Sequence, residues 1–89
     1  MNTLFLLMAQ YDGKAVIPLN LICADYMNLT VEKFKQKQFN GEIDIPITRL
    51  GANSQKASLG IHIKDLAEYI DRQRAKALEE HKKIIGREY

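Results

Sequence analysis

The chain has 89 residues, 46% hydrophobic and 27% charged, the size and composition of one small globular domain. That excludes a large catalytic barrel or a two-domain enzyme, argues against disorder of the whole chain, and makes stability lean on good local structure or self-association. Thirteen Lys and Arg against eleven Asp and Glu leave a net charge of +2, too small as a global figure to announce nucleic acid, so its distribution has to be read.

The single cysteine, Cys23, closes no intramolecular disulfide, and with two histidines it falls short of the usual four ligands of a structural zinc site. The expectation is a reducing cytosol, with no metal and no cofactor. The apolar run Leu4-Phe5-Leu6-Leu7-Met8-Ala9 lacks a basic leader and soon meets Tyr11-Asp12-Gly13-Lys14, so it reads as a core segment; it is too short to span a bilayer.

In chain order, Asn2 or Thr3 caps a short helix that carries Leu4, Leu7, Met8 and Tyr11 on one face and stops at Gly13 in a left-handed conformation; a buried strand is the rival reading. Ala15-Val16-Ile17 is a β-branched stub. Pro18 then opens a helix to about Met27, with Leu19, Ile22, Cys23, Tyr26 and Met27 in one apolar stripe. Asn28-Leu29-Thr30 breaks the pattern. Thr30 or Asn28 caps a second helix, from about Val31 to Phe39, with Val31, Phe34 and Phe39 facing inward, and Asn40-Gly41 ends it. Residues 43–50 alternate apolar and polar, which predicts a strand, and Pro46 marks it as an edge. A polar loop over 51–58 leads to a returning strand, Leu59 to Ile63, so the pair forms a hairpin. From Lys64 or Asp65 a helix turns Leu66, Tyr69 and Ile70 inward and continues through the charged stretch Arg72 to Lys83, with expected pairs Glu68–Arg72 and Asp71–Arg74. Leu78 and Ile85, seven apart, offer a short self-association seam, with a fraying tail as the alternative. The domain organisation expected is one unit over 1–78 followed by a helical or fraying tail over 79–89.

Helix, short turn, helix, β-hairpin, helix is the order of an α+β winged helix-turn-helix of the MerR and excisionase type, three to four helices with one hairpin wing. In such a corner the second helix enters the major groove. Charge follows that topology: between residues 33 and 56, Lys33, Lys35, Lys37, Arg49 and Lys56 face only Glu42 and Asp44, a local charge of +3, whereas the first thirty residues sum to −1. On the second helix Lys33, Gln36 and Lys37 are expected opposite Phe34, with Lys35 and Gln38 flanking. Gln pairs with adenine edges and Lys with guanine edges or phosphates, so the expected reading set is Thr30, Lys33, Lys35, Gln36 and Lys37. Ser54, Gln55 and Lys56 supply the wing, with Thr48 and Arg49 adding backbone contacts. A merely solvated Lys- and Gln-rich face is the competing reading.

Enzymatic constellations are weak. Ser54, His62 and Asp65 contain the letters of a triad without an oxyanion-hole pattern. Glu42 and Asp44 would share a strand face but read as solvated acids, and Cys23 on an apolar stripe reads as a buried structural thiol. The expectation is a protein that is not an enzyme.

Several consecutive strings, Phe5-Leu6-Leu7-Met8-Ala9-Gln10-Tyr11, Ala15-Val16-Ile17-Pro18-Leu19, Leu29-Thr30-Val31-Glu32-Lys33-Phe34, Gly41-Glu42-Ile43, Ser54-Gln55-Lys56-Ala57 and Asp65-Leu66-Ala67-Glu68-Tyr69-Ile70-Asp71, together resemble the pyocin activator PrtN family over roughly Asn2 to Arg74. The resemblance implies a bacterial transcriptional activator binding repeated boxes upstream of bacteriocin or prophage-derived genes. It also implies a wing role for Ser54-Gln55-Lys56. Gln36-Lys37 stands where an Arg-Lys pair is frequent in such proteins, which bears on base preference. The expected partners are double-stranded DNA, a second copy of the chain at least on DNA, and RNA polymerase, with no membrane. The alternatives are an excisionase-like architectural protein that bends DNA and a protein-interaction or antirepressor module.

Overall fold

The computed structural model describes residues 2–51 and 58–86. The described residues form an α+β architecture of four helices and a three-stranded antiparallel sheet. Helix α1 (Thr3–Gln10) begins at Asn2, whose side-chain oxygen accepts from the Leu4 N–H at 2.8 Å. It ends where Asp12 and Gly13 adopt positive φ and the Gly13 N–H reaches the Met8 carbonyl at 2.8 Å. The helix reading of this segment therefore holds over the strand reading, because both ends find caps. Leu7 and Tyr11 are buried and Leu4 is partly so, but Met8 is 43% exposed and leaves the expected face.

Strand β1 (Val16–Pro18) runs directly into α2 (Leu19–Ile22), which continues as a π-helical turn, Cys23–Met27. The expected single helix to Met27 thus widens halfway. The turn closes at Asn28, in the left-handed region at φ 53°, with its N–H on the Cys23 carbonyl at 2.8 Å. Widening turns Tyr26 outward to 41% exposure, where its hydroxyl donates to Gln10 Oε1, while Cys23 stays in the core. Tyr11 donates to Asp25 Oδ2 at 2.7 Å and so ties α1 to the same turn. Burial, then the bond to Asp25 and its charge, push the Tyr11 phenol well above its ordinary range; burial raises the Cys23 thiol.

Helix α3 (Val31–Phe39) starts at Thr30, whose Oγ1 accepts from the Lys33 N–H at 3.2 Å. Its C-terminus is closed by Gly41 at φ +80° and by Glu42 N–H on the Lys37 carbonyl at 2.9 Å. Strands β2 (Thr48–Leu50) and β3 (Ser58–His62) pair antiparallel as the expected hairpin, with Arg49 opposite Leu59. β3 also pairs with β1, Ile17 opposite Ile61, so it is the central strand. Gly60 sits between both neighbours, and a Cβ there would lie 2.6 Å from the Ile17 carbonyl oxygen and 2.6 Å from Val16 Cγ1; only glycine permits that approach.

The expected strand over 43–50 is confined to its last three residues. Residues 43–47 form no ladder, with Ile45 buried and Ile43 and Ile47 partly buried; the Ile43 N–H bonds the Lys37 carbonyl at 3.2 Å, and side chains hold the carbonyls that follow. Arg72 donates to the Asp44 carbonyl at 2.6 Å and Gln38 Nε2 to the Ile45 carbonyl at 3.3 Å, and Pro46 has no N–H to give.

Helix α4 (Ile63–Gly86) begins one residue before expected, its start held by the Ile63 N–H on the Ala15 carbonyl at 2.8 Å and the Lys64 N–H on His62 Nδ1 at 3.1 Å. Ile63, Leu66 and Ala67 are buried, and from Asp71 to Gly86 every residue is exposed. The expected i,i+4 and i,i+3 pairs do not form: Arg72 goes to Asp44 and lies over the Tyr69 ring at 5.9 Å, and Asp71 accepts from Thr3 Oγ1 at 2.6 Å. Bonds that pin α4 to other elements outcompete weak pairs along its own surface. Leu78 and Ile85 are exposed, 41% and 43%, as is Ile84. At the centre, Phe34, Ile17, Ile22, Ile45, Ile61 and Leu66 are fully enclosed, each worth roughly 1.5–3 kcal/mol of burial. No helix among the described residues is long and apolar enough to cross a membrane.

Candidate nucleic-acid interface

Three features set Lys35, Gln36 and Arg49 around one open groove. The three-residue break Asn28-Leu29-Thr30 turns the chain from the π-helical turn into α3. Phe34, wholly buried, anchors α3 against the core, which fixes which side of the helix faces out. The β2–β3 hairpin flanks that outer side. Between helix and hairpin lies an open groove of about 510 Å³, lined by Glu32, Lys35, Gln36, Gln38, Phe39 and Asn40 and by Ile47, Arg49 and Leu59.

Lys33, Lys35 and Gln36 are exposed on α3, and Arg49 is exposed on β2. Among the described residues, none of these three cations lies within ion-pair distance of a carboxylate. Thr30 is exposed, its hydroxyl oxygen engaged as the cap, its proton still able to donate. Thr48 is half-buried in β2. Ser54, Gln55 and Lys56 lie outside the described residues.

Expectations about the α3 face are corrected for Lys33, Lys37, Gln38 and Phe39, Lys33 lying about 100° from Phe34 on the flank and not opposite it. At 100° per residue Lys37 falls about 60° from Phe34, close to the core edge and not opposite it. It is half-buried there and its Nζ lies 3.6 Å from Glu42 Oε1, so its charge is partly spent on a neighbour. Phe39, expected inward, falls about 140° round from Phe34 and is 87% exposed. The face truly opposite Phe34 is Glu32, Gln36 and Phe39, flanked by Lys33 and Lys35. Glu32 lies just outside the 33–56 window and offsets part of its positive charge; as the acid in the first turn of α3 it also suits the positive end of the helix dipole. Gln38 is half-buried, and its Nε2 donates to the Ile45 carbonyl. Counting angles from Phe34 along the sequence would have found Phe39 and Glu32.

The arrangement is an α+β unit presenting unpaired cations and amides on one helix beside a β-hairpin, chemistry suited to oxygen-rich anionic ligands. The chain belongs to the pyocin activator protein PrtN family, whose family model matches residues 3–77, a span that contains α1 to α3, the hairpin and the packed half of α4. That membership carries a regulatory activator role. Searches of the curated proteins and of the solved structures each found no match.

Proposed function

We propose that the protein is a non-catalytic, sequence-specific double-stranded DNA-binding activator of bacteriocin or prophage-derived genes in the bacterial cytoplasm, built as a winged helix-turn-helix. The observation that carries the reading is the coincidence, within a chain of the PrtN activator family, of an exposed Lys33, Lys35 and Gln36 face on the second helix of a helical corner with a hairpin placed beside it. In this reading α3 lies in the major groove with Gln36 and Lys33 toward base edges, Thr30 donates to a phosphate at the helix start, and Arg49 with the loop residues Ser54, Gln55 and Lys56 follows the backbone as a wing.

Few phosphate contacts are available per chain, because Lys37 is engaged with Glu42 and Glu32 opposes approach. Useful affinity then calls for a homodimer on repeated promoter-upstream boxes, from which RNA polymerase is recruited. The test is a gel shift with DNA from upstream of the chain's own neighbouring operons across a salt series. The expected result is sequence-preferring binding whose affinity falls steeply with salt. Absence of binding at low salt, or equal binding to all sequences, would sink the specific-regulator reading.

A further inference from the structure

We infer that the groove between α3 and the β2–β3 hairpin seats one sugar–phosphate strand of duplex DNA, with Lys35 and Arg49 on its phosphates and Phe39 packed against its deoxyribose rings. The inference rests on the DNA-binding reading and adds to it an apolar contact that cations and amides alone do not supply. Phe39 is 87% exposed although the same helix buries Phe34 completely, so its phenyl ring contributes nothing to the core. It stands over the groove with the apolar side chains of Ile47 and Leu59, while Lys35, Gln36, Asn40 and Arg49 supply donors around them.

A surface that combines an apolar floor with cationic and amide donors matches a polymer whose repeat alternates an anionic phosphate with the apolar face of a sugar. A lone phosphate would leave the phenyl ring unused, and an apolar partner helix would leave Lys35 and Arg49 stranded beside it. Glu32 bounds the contact: it lies seven residues before Phe39, about 10 Å up the helix, and its carboxylate repels a phosphate there. Glu32 therefore limits how far this strand extends along the groove beyond Lys35.

The experiment is equilibrium binding of the full chain to duplex DNA from its upstream region, over a salt series, for wild type, Phe39→Ala, Phe39→Leu, Lys35→Ala and Arg49→Ala, with thermal unfolding of each. Phe39→Ala is expected to weaken binding about tenfold, from loss of buried apolar area, with an unchanged dependence of log affinity on log salt. Phe39→Leu is expected to recover most of that loss, whereas Lys35→Ala and Arg49→Ala each flatten the salt slope by about one. If wild type binds and Phe39→Ala stays within about twofold of it, the contact is refuted while the DNA-binding reading stands. The contact is refuted equally if Phe39→Ala flattens the salt slope as a cation deletion does, or if it keeps DNA binding and loses only RNA polymerase. Failure of the wild type to bind DNA at the lowest salt overturns the broader reading and this inference with it.

Discussion

Phe34 and Phe39 are the same side chain on the same nine-residue helix, one wholly enclosed and the other 87% exposed. Phe34 does what a large apolar residue does in a small domain: it orients α3 and helps close the core around Ile17, Ile22, Ile45, Ile61 and Leu66. Phe39 does none of this, and it lines an open groove with Lys35, Arg49, the side-chain amides of Gln36 and Asn40, and the apolar Ile47 and Leu59. The difference teaches that hydrophobicity alone does not assign a residue to folding; angular position relative to the anchor does. Helix α4 repeats the lesson along its length, with Leu66 and Ala67 buried in its first turns and Leu78, Ile84 and Ile85 exposed further on.

The sharpest way to break the contrast is to truncate both rings. Phe34→Ala is expected to cost about 3–5 kcal/mol, enough to threaten the fold of a domain this size, whereas Phe39→Ala is expected to stay within about 0.5 kcal/mol of wild type in denaturant unfolding. Comparable losses at both sites would mean the two faces are not distinct. Next in size is Gly60→Ala, which places a methyl against the Ile17 carbonyl and Val16 at 2.6 Å. A destabilisation of about 1–3 kcal/mol is expected, with weakened amide protection in β1 and β3 by hydrogen exchange, because the groove's hairpin is hung on that central strand. Unchanged protection there would show that the sheet absorbs the methyl.

Thr30 tests where folding ends and binding begins. Thr30→Ala is expected to lose about 1 kcal/mol of stability through the lost cap on the Lys33 N–H, and Thr30→Ser to retain it. If alanine left the melting temperature unchanged, the hydroxyl would not be capping α3. The smallest effect concerns pH. Tyr11, Tyr26 and Cys23 all have folded-state pKa values raised above their ordinary ones, chiefly by burial. Groups shifted upward stabilise the fold below their unfolded pKa and lose that contribution as pH rises, so stability is expected to decline above about pH 9–10. Tyr11→Phe should flatten the upper part of that decline in chemical denaturation series at several pH values; an unaltered profile would remove Tyr11 from the account.

Much of the fold was legible because its signals are local. Asn2, Gly13, Thr30 and Gly41 each carry a cap or a left-handed turn in their own side chain or its absence, and the alternation over 43–50 ends in the strand Thr48–Leu50. That same alternation misled about strand structure, since period two reports an extended backbone and says nothing of who accepts its hydrogen bonds; here Arg72 and Gln38 do the bonding, as donors to its carbonyls. Of the residues that charge and side-chain chemistry singled out, Lys35, Gln36 and Arg49 line one groove and Lys33 lies outside it, whereas Phe39 was assigned inward by residue type and Lys37 outward by charge.

By itself the sequence determined the element order, the helix boundaries at capped ends, the hairpin and the concentration of positive charge on one helix and its neighbouring strand, because each follows from spacing and side-chain chemistry within a few residues. Only the tertiary structure decided that α2 widens into a π-helical turn, that Gly60 is the point where three strands meet, that Asp71 and Arg72 of α4 bond to Thr3 and Asp44 and not to Arg74 and Glu68, and that Phe39 stands over a groove. Those outcomes depend on groups distant in the chain competing for the same hydrogen bonds and the same enclosed volume, a competition that no local window contains.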